Sequence, residues 1–286
     1  MDIFLTIKET KKYVLSLKNQ GKTVGFVPTM GALHKGHMAL AQRAKKENDI
    51  ALSSIFVNPL QFNDTKDLEK YPRTLEKDSE MLKSVGCDGV FAPSVDEMYG
   101  EQGKSEQPEQ FDLGDLDRVM EGLQRPGHFQ GVCVVVKKLF NIVEPDKAYF
   151  GEKDFQQLAV IKHMVKTLGM TVQIVPCHTV READGLAMSS RNALLGANER
   201  KNAPLIYATL QKAKEEWKDG SVEGWNHLKI SVEEAINKSP FLKLEYFEVV
   251  NSETLQPLVS WEDAKNIRAC IAVKAGAVRL IDNISF

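Results

Sequence analysis

Cysteine is scarce in this 286-residue chain, and the four that occur, Cys87, Cys133, Cys177 and Cys270, stand tens of residues apart without a CxxC pair. That spacing excludes a zinc ribbon and a dithiol redox motif and predicts reduced, partly buried thiols. An excess of one charge is lacking as well. Lys+Arg 37 against Asp+Glu 39 leaves a net charge of −2, without the electrostatic footprint of a dedicated nucleic-acid binder or a polybasic membrane protein. No stretch approaches the ~18 to 20 uncharged apolar residues of a membrane span. The N-terminal MDIFLTIKETKKYVLSLKN mixes acids and lysines into its apolar residues, so it lacks the apolar core of a signal peptide. A cytoplasmic protein with neither nucleic-acid nor membrane partners is expected. What is present is globular in composition, with 43% hydrophobic and 27% charged residues. The length suggests roughly two domains, able to bury about three quarters of the extended surface.

Apolar runs at Thr23 to Val27 and Ile50 to Val57 flank GHMALAQRAKKEN, which has helical periodicity, and together they read as a β-α-β unit following an opening amphipathic helix. The alternation continues with a helix from about Leu75 to Val85, a strand at Gly89 to Ala92 and a long helix from Phe129 to Val143. Lys147 to Phe150 reads as a strand, Phe155 to Leu168 as a helix and Thr171 to Val175 as a strand. This order predicts an α/β, doubly wound, Rossmann-like domain over residues 1–185 with a mostly parallel sheet. Residues 186–286 change character, with helices near Glu199 to Lys218 and Val222 to Asn237. Strands follow near Leu244 to Asn251, Ile267 to Val273 and Ala277 to Ile281, giving a smaller α+β domain expected to cover the site. The polar stretch from Pro93 to Leu116 reads as a mobile flap or a solvated loop.

Ligands of open α/β sheets bind beyond the carboxyl ends of the strands, so chemistry is sought in the segments that follow them. Pro28, Thr29, Met30, Gly31, Ala32, Leu33, His34, Lys35, Gly36 and His37 follow the first strand and match neither GxGxxG nor GxxxxGK[ST]. The Gly103-Lys104-Ser105 triplet is a decoy, because Met98 stands five positions before Gly103. Two histidines bracketing a glycine at a helix start suit an anion. The helix N–H groups and dipole favour negative charge, Gly36 permits close backbone approach, and both imidazoles can donate to phosphate oxygens. A helix-capping loop with solvated histidines, or a two-His metal site that would need a third ligand, stays open. Asn58, Pro59, Leu60, Gln61 and Phe62 follow the second strand. Gly151, Glu152, Lys153, Asp154, Phe155, Gln156 and Gln157 follow the Lys147 strand, and Met188, Ser189, Ser190, Arg191 and Asn192 come after the last strand of the sheet. Between them these segments hold two His, one Lys, one Arg and two Ser, an inventory for triphosphate. Histidines without a P-loop point to attack at the α-phosphate rather than γ-phosphoryl transfer.

The segments PTMGALHKGH (28–37), FVNPLQF (56–62), YPRT (71–74), RPGHFQGV (125–132), FGEKDFQQL (150–158) and DGLAMSSRN (184–192) closely resemble the pantothenate synthetase family, the pantoate:β-alanine ligases of vitamin B5 and coenzyme A synthesis. The likeness is weaker toward the C-terminus, through AVRLIDN (277–283), and the HxGH and SSR elements also resemble the wider HxGH nucleotidyltransferase group. The resemblance implies an enzyme that condenses pantoate with β-alanine through pantoyl adenylate, releasing pyrophosphate and then AMP. It implies catalysis by His34, His37, Lys153 and Arg191, and ATP binding by Met30, Gly36, Gly151, Lys153, Asp154, Met188, Ser189, Ser190 and Arg191. Pantoate would meet Pro28, Thr29, Met30, Gln61 and Gln157, with Phe62 as a further apolar wall. ATP is then a substrate, Mg²⁺ rides mainly on its phosphates with no protein metal site, and a homodimer is implied. One departure stands at Val134, where the family pattern has Thr, which removes a hydroxyl from that position.

Overall fold

Near-continuous apolar runs become strands covered on both faces, as expected of a parallel sheet. The computed structural model describes residues 1–63, 68, 69, 71–100, 109–220, 224–258 and 266–286. It forms two compact units: the first comprises Met1–Gly114, Gln124–Glu152 and Gln157–His178, and the second Asp115–Leu123, Lys153–Gln156 and Thr179–Phe286. In the first, β1 (Asp2–Phe4), β2 (Val24–Thr29), β3 (Ile50–Ile55), β4 (Gly89–Phe91), β5 (Lys147–Gly151) and β6 (Gln173–Cys177) pair in parallel in the order β1-β4-β3-β2-β5-β6. The chain runs from β2 outward through β3 and β4, then returns to the other side of β2 for β5 and β6. The switch point therefore lies between β2 and β5, and their carboxyl ends open onto the crevice where such sheets bind ligands.

The helices are α1 (Ile7–Lys18), α2 (Lys35–Glu47), α3 (Leu75–Ser84), α4 (Val95–Tyr99), α5 (Met120–Gln124), α6 (His128–Val143) and α7 (Phe155–Thr167). The α/β class is as expected, with one addition: the opening helix is preceded by β1. Three residues are too short to show periodicity, and β1 exists only through pairing with β4, Asp2 opposite Gly89. On the other side of β2, the helix α2 is moored to β5 and β6. Arg43 donates to Glu47 Oε1 (2.7 Å) and to the Pro176 carbonyl (2.7 Å), while Tyr149 Oη donates to Glu47 Oε2 (3.0 Å) and accepts from Asn48 Nδ2 (2.8 Å).

The second unit holds α8 (Ala197–Asn202), α9 (Leu205–Lys218) and α10 (Trp225–Asn237) with an antiparallel sheet of β7 (Leu242–Asn251), β8 (Ile267–Ala275) and β9 (Val278–Ser285). One helix was expected over 199–218; it breaks at Ala203–Pro204 because proline offers no N–H to the helical ladder. Alternation along the strands gives the sheet two unlike faces. Phe247, Val249, Ala269, Ile271, Val273 and Leu280 share a core with Ile206, Leu210, Leu228, Val232 and Ile236. The register places Tyr246, Arg268, Arg279 and Asn283 on the opposite, polar face. The long C-terminal stretch of this unit begins at Thr179, and residues 180–188 form a single hairpin closed by pairing of Arg181 with Ala187.

All four cysteines are buried and outside disulfides. Burial pushes the Cys87 thiol up to about 11 and that of Cys270 up to about 12, so neither is a thiolate near neutrality. Among the described residues no helix is long and apolar enough to cross a membrane. Acid sensitivity follows from the surface carboxylates. The Arg43 bond holds Glu47 below the usual carboxylate range, and the Arg200 bond does the same for Asp184. Groups whose folded pKa is lowered stabilise the fold above their unfolded pKa and lose that contribution as pH falls through the folded value. The urea midpoint is therefore expected to hold above about pH 5 and to decline below about pH 4; an unchanged midpoint down to about pH 3 would refute this.

Candidate active site

The loop from β2 into α2 is built on a left-handed corner. Gly31 (φ +83°) and Ala32 (φ +50°) turn the chain, and Gly31 is required twice over, since a Cβ there would also stand 3.0 Å from Asp78 Oδ2. The Asp78 carboxylate, 1% exposed on α3, accepts from the N–H groups of Ala32 and Leu33 at 2.9 Å each and from Thr74 Oγ1 at 3.1 Å. Thr29 Oγ1 donates to the Ser54 carbonyl (2.6 Å) and accepts from Gly31 N–H (3.2 Å), so its hydroxyl closes the turn.

This corner delivers His34 as the N-cap of α2. His34 Nδ1 accepts from Gly36 N–H (3.1 Å), and His34 N–H donates to His37 Nδ1 (3.3 Å), a capping box made of two imidazoles. The rings lie 4.1 Å apart at 43°. The capping loop and the anion site, posed above as alternatives, are compatible in this geometry. With both Nδ1 atoms accepting, the neutral rings are assigned the Nε2–H tautomer. Two Nε2–H donors thus stand at a helix N-terminus whose dipole also favours an anion.

After the neighbouring strand β3, Gln61 ends the short 3-10 turn Pro59–Gln61 and is 8% exposed. Its Nε2 points to Met30 Sδ (2.9 Å) and its Oε1 accepts from Asn58 Nδ2 (3.2 Å). A thioether is a weak acceptor, which leaves the amide strong donor capacity to offer a ligand. The RPGHFQGV segment acts as the seat of this glutamine. His128 Nδ1 and Arg125 Nη2 both meet the Gln61 carbonyl (2.7 and 3.2 Å), and the Gly131 carbonyl accepts from Asn58 Nδ2 (3.0 Å). A Cβ at Gly131 would fall 2.1 Å from the Leu60 carbonyl oxygen. Gly131→Ala must therefore displace the turn carrying Gln61, and a loss of about 1 to 3 kcal/mol in unfolding free energy is expected, the range for overpacking; an unchanged urea midpoint would refute it.

Pro28 lies within β2, half-buried, and Gly151 closes β5 next to it in the sheet order. A Cβ built at Gly151 meets nothing within 4 Å, so the protein's own packing does not demand glycine there. Phe62 meets the Tyr71 ring edge-on at 5.8 Å, and Gln157 stands half-buried in the first turn of α7. Val134 is half-buried on α6. Of the segment 93–116 expected as a flap, residues 101–108, with the Gly103 triplet, lie outside the described residues. Phe111 is fastened to α6, its N–H and carbonyl both paired with the Gln130 side chain (2.9 Å each).

The remaining expected site residues belong to the second unit. Lys153 and Asp154 form a 3-10 turn with Glu152, and Lys153 Nζ is 3.6 Å from Asp154 Oδ1. Met188 ends the hairpin, its N–H donating to the Val180 carbonyl (2.9 Å), and Ser189 caps the 3-10 turn Ser190–Leu194 by accepting from Arg191 N–H (3.2 Å). Ser189 Oγ acts there as acceptor, so its hydroxyl proton remains to be donated. That turn packs against β9, and β9 also holds the Lys153 main chain through Asn283 Nδ2 (2.9 Å).

Residues outside the expected set support these groups: Asp78, Arg125, His128, Gln156 and Asn283. Asp78 carried a local signal, a carboxylate four residues before buried Leu82 on the covered face of α3. Asn283 carried none beyond its place in AVRLIDN.

Known proteins resemble the chain over its full length. The family model for pantoate-β-alanine ligase matches residues 2–285. A pantothenate synthetase of Phocaeicola vulgatus is 53% identical over 287 residues, covering 100% of this chain and 99% of the relative, and one from Bacteroides thetaiotaomicron is 51% identical over 286 with the same coverage. The crystal structure of pantothenate synthetase from Thermus thermophilus superposes with a TM-score of 0.91 at 43% identity, covering 99% of both chains. The Francisella tularensis pantoate-β-alanine ligase, solved in complex with β-γ ATP and β-alanine, gives 0.81 at 36% identity, covering 100% of this chain and 97% of that one. The chain thus belongs to the pantoate-β-alanine ligase family of enzymes.

Proposed function

We propose that this ligase forms pantothenate in two steps on one site. A carboxylate oxygen of pantoate attacks the α-phosphorus of ATP and pyrophosphate leaves, giving pantoyl adenylate. The amine of β-alanine then attacks the acyl carbon, loses a proton as the amide forms, and AMP leaves. The observation that carries this reading is the pair of imidazoles at the start of α2, each with Nδ1 accepting from a backbone N–H, which sets both rings at the helix N-terminus. Preorganised donors of this kind stabilise the charge that grows as pyrophosphate departs.

In this reading His34, His37, Lys153, Ser189, Ser190 and Arg191 bind the phosphates, with the main chain at Met30, Gly36 and Met188. Gly151 and Asp154 take the ribose, for which the open space at Gly151 is support. Gln61 and Gln157 hydrogen-bond pantoate, whose gem-dimethyl group rests against Pro28, Met30 and Phe62, while Thr29 shapes the turn beneath. A site built on such hydrogen bonds rejects analogues lacking the hydroxyls by roughly 10⁴ to 10⁵. Among the described residues no group of three His, Cys, Asp or Glu side chains is placed to hold a metal. In this reading Mg²⁺ travels with the nucleotide, where phosphates and water supply the octahedral oxygens it demands and it offsets phosphate charge. A homodimer in the cytoplasm completes the reading, and light scattering tests the former.

The test is release of pyrophosphate and AMP from ATP with pantoate alone, β-alanine alone, and both. Sustained AMP requiring both acids, with at most a stoichiometric burst of pyrophosphate from pantoate alone, is expected. An adenylyl group retained on a phosphate ester, or no pantoate-dependent pyrophosphate, would overturn the reading.

A further inference from the structure

We propose that Asn283 is a positioning residue for the adenylate-forming step: from β9 it holds the main chain of Lys153 and so fixes where that lysine's ammonium group stands. The inference rests on the assignment of Lys153 to the phosphates made above. None of the three side chains of the turn Glu152–Asp154 is apolar, so polar bonds hold it. Asn283, 5% exposed, donates from Nδ2 to the Lys153 carbonyl at 2.9 Å. Its Oδ1 accepts from Arg268 Nη1 at 2.7 Å. A guanidinium has donors only, so the amide oxygen must face Arg268 and the NH₂ must face Lys153. Arg268 is itself held, with its guanidinium 4.1 Å over the Phe155 ring.

Two residues beyond the turn, in the first turn of α7, Gln156, 5% exposed, donates to the carbonyls of Leu116 (2.7 Å) and Val119 (2.8 Å) and accepts from Glu121 N–H (2.9 Å). Lys153 thus sits between two buried amides. The neighbouring residue of β9 does a parallel job for the serine-arginine turn. Asp282 binds Arg181 bidentately (2.6 and 2.9 Å), and Arg181 also donates to the Gly185 carbonyl (3.1 Å) in the hairpin that leads to Ser189. Consecutive strand residues face opposite ways, so Asp282 and Asn283 seat two different phosphate-binding segments from one strand. This gives the AVRLIDN segment a role in the reaction although it contacts no reacting atom.

The experiment is single-turnover pyrophosphate release, with ATP and pantoate, for Asn283→Asp, Lys153→Ala and the double variant, with unfolding midpoints for each. Asn283→Asp keeps an oxygen acceptor for Arg268 but removes the donor to Lys153. A loss of about tenfold is expected, the worth of one positioned hydrogen bond. It should fall on kcat rather than on the KM for ATP, since the charge that Lys153 meets develops in the transition state. In the Lys153→Ala background the same change should add no further loss. Asn283→Ala serves as second variant, because the new carboxylate adjoins Asp282. Additive losses in the double variant, or wild-type rates for both Asn283 variants while Lys153→Ala is impaired, would overturn the proposal alone. A wild-type rate for Lys153→Ala would overturn the phosphate assignment on which it rests.

Discussion

Replacing His37 with alanine is expected to slow pantoate-dependent pyrophosphate release by about 10² to 10³, the range for removal of one preorganised donor to a developing charge. The side chain does two things that can be separated. Its Nδ1 accepts from His34 N–H, half of the cap of α2, and loss of such a cap costs about 1 kcal/mol of stability. Its Nε2–H is the group proposed to meet phosphate. Asparagine places an oxygen near the Nδ1 position and has nothing where Nε2 stands. His37→Asn should therefore recover most of the thermal stability lost in His37→Ala while leaving the rate depressed. Rates that track stability through both variants would mean the imidazole acts only as a cap.

Substituting Glu121 by alanine should cost about 3 kcal/mol in unfolding free energy, the low end for removing one partner of a buried ion pair because this pair keeps some solvent access. The Glu121 carboxylate accepts from Arg279 Nη1 (2.6 Å) and Nη2 (2.7 Å) and from Tyr246 Oη (2.7 Å), with its own side chain 11% exposed. Arg279 is shared with Glu245 at 2.5 Å. Burial, and next the Glu121 carboxylate, hold the Tyr246 phenol far above its usual value, so it donates at every ordinary pH. Truncation leaves Arg279 and Tyr246 without this carboxylate and releases the segment Asp115–Leu123 from the polar face of the sheet, and with it the bonds to Gln156. Urea titration reads the loss directly. Glu121→Leu with Arg279→Met should lose less than the sum of the single changes, since neither member of this pair is then left facing a missing partner, while Glu245 keeps Lys274. Additive losses would contradict a direct pairing.

Much of the fold was legible because its signals are local. Strand β3 reads as a continuous apolar run and α2 as a periodic stretch opened by a polar cap, whereas the break at Pro204 was missed because helical periodicity continues on both sides of it. The HxGH pair was legible for the same reason, since a cap, a glycine and a second ring three residues on are one helical turn of information. Spacing alone placed both imidazoles at an anion-favouring helix end.

Tertiary structure decided what joins distant residues. Strand β1 is a strand because it meets β4. Asp78 shapes the β2 corner from 45 and 46 residues away, Asn283 reaches Lys153 across 130, and Arg279 reaches Glu121 across 158. The tautomers of His34 and His37 were likewise beyond the sequence, because they depend on which ring nitrogen faces a backbone N–H in the folded loop. By itself the sequence determined the α/β alternation, the family motifs and the inventory of side chains proposed to bind phosphate, all written in propensities and spacings within a few turns of chain. Only the tertiary structure decided which buried polar groups hold that inventory in place, because a hydrogen bond between remote residues exists only once long-range packing has excluded water and brought donor to acceptor.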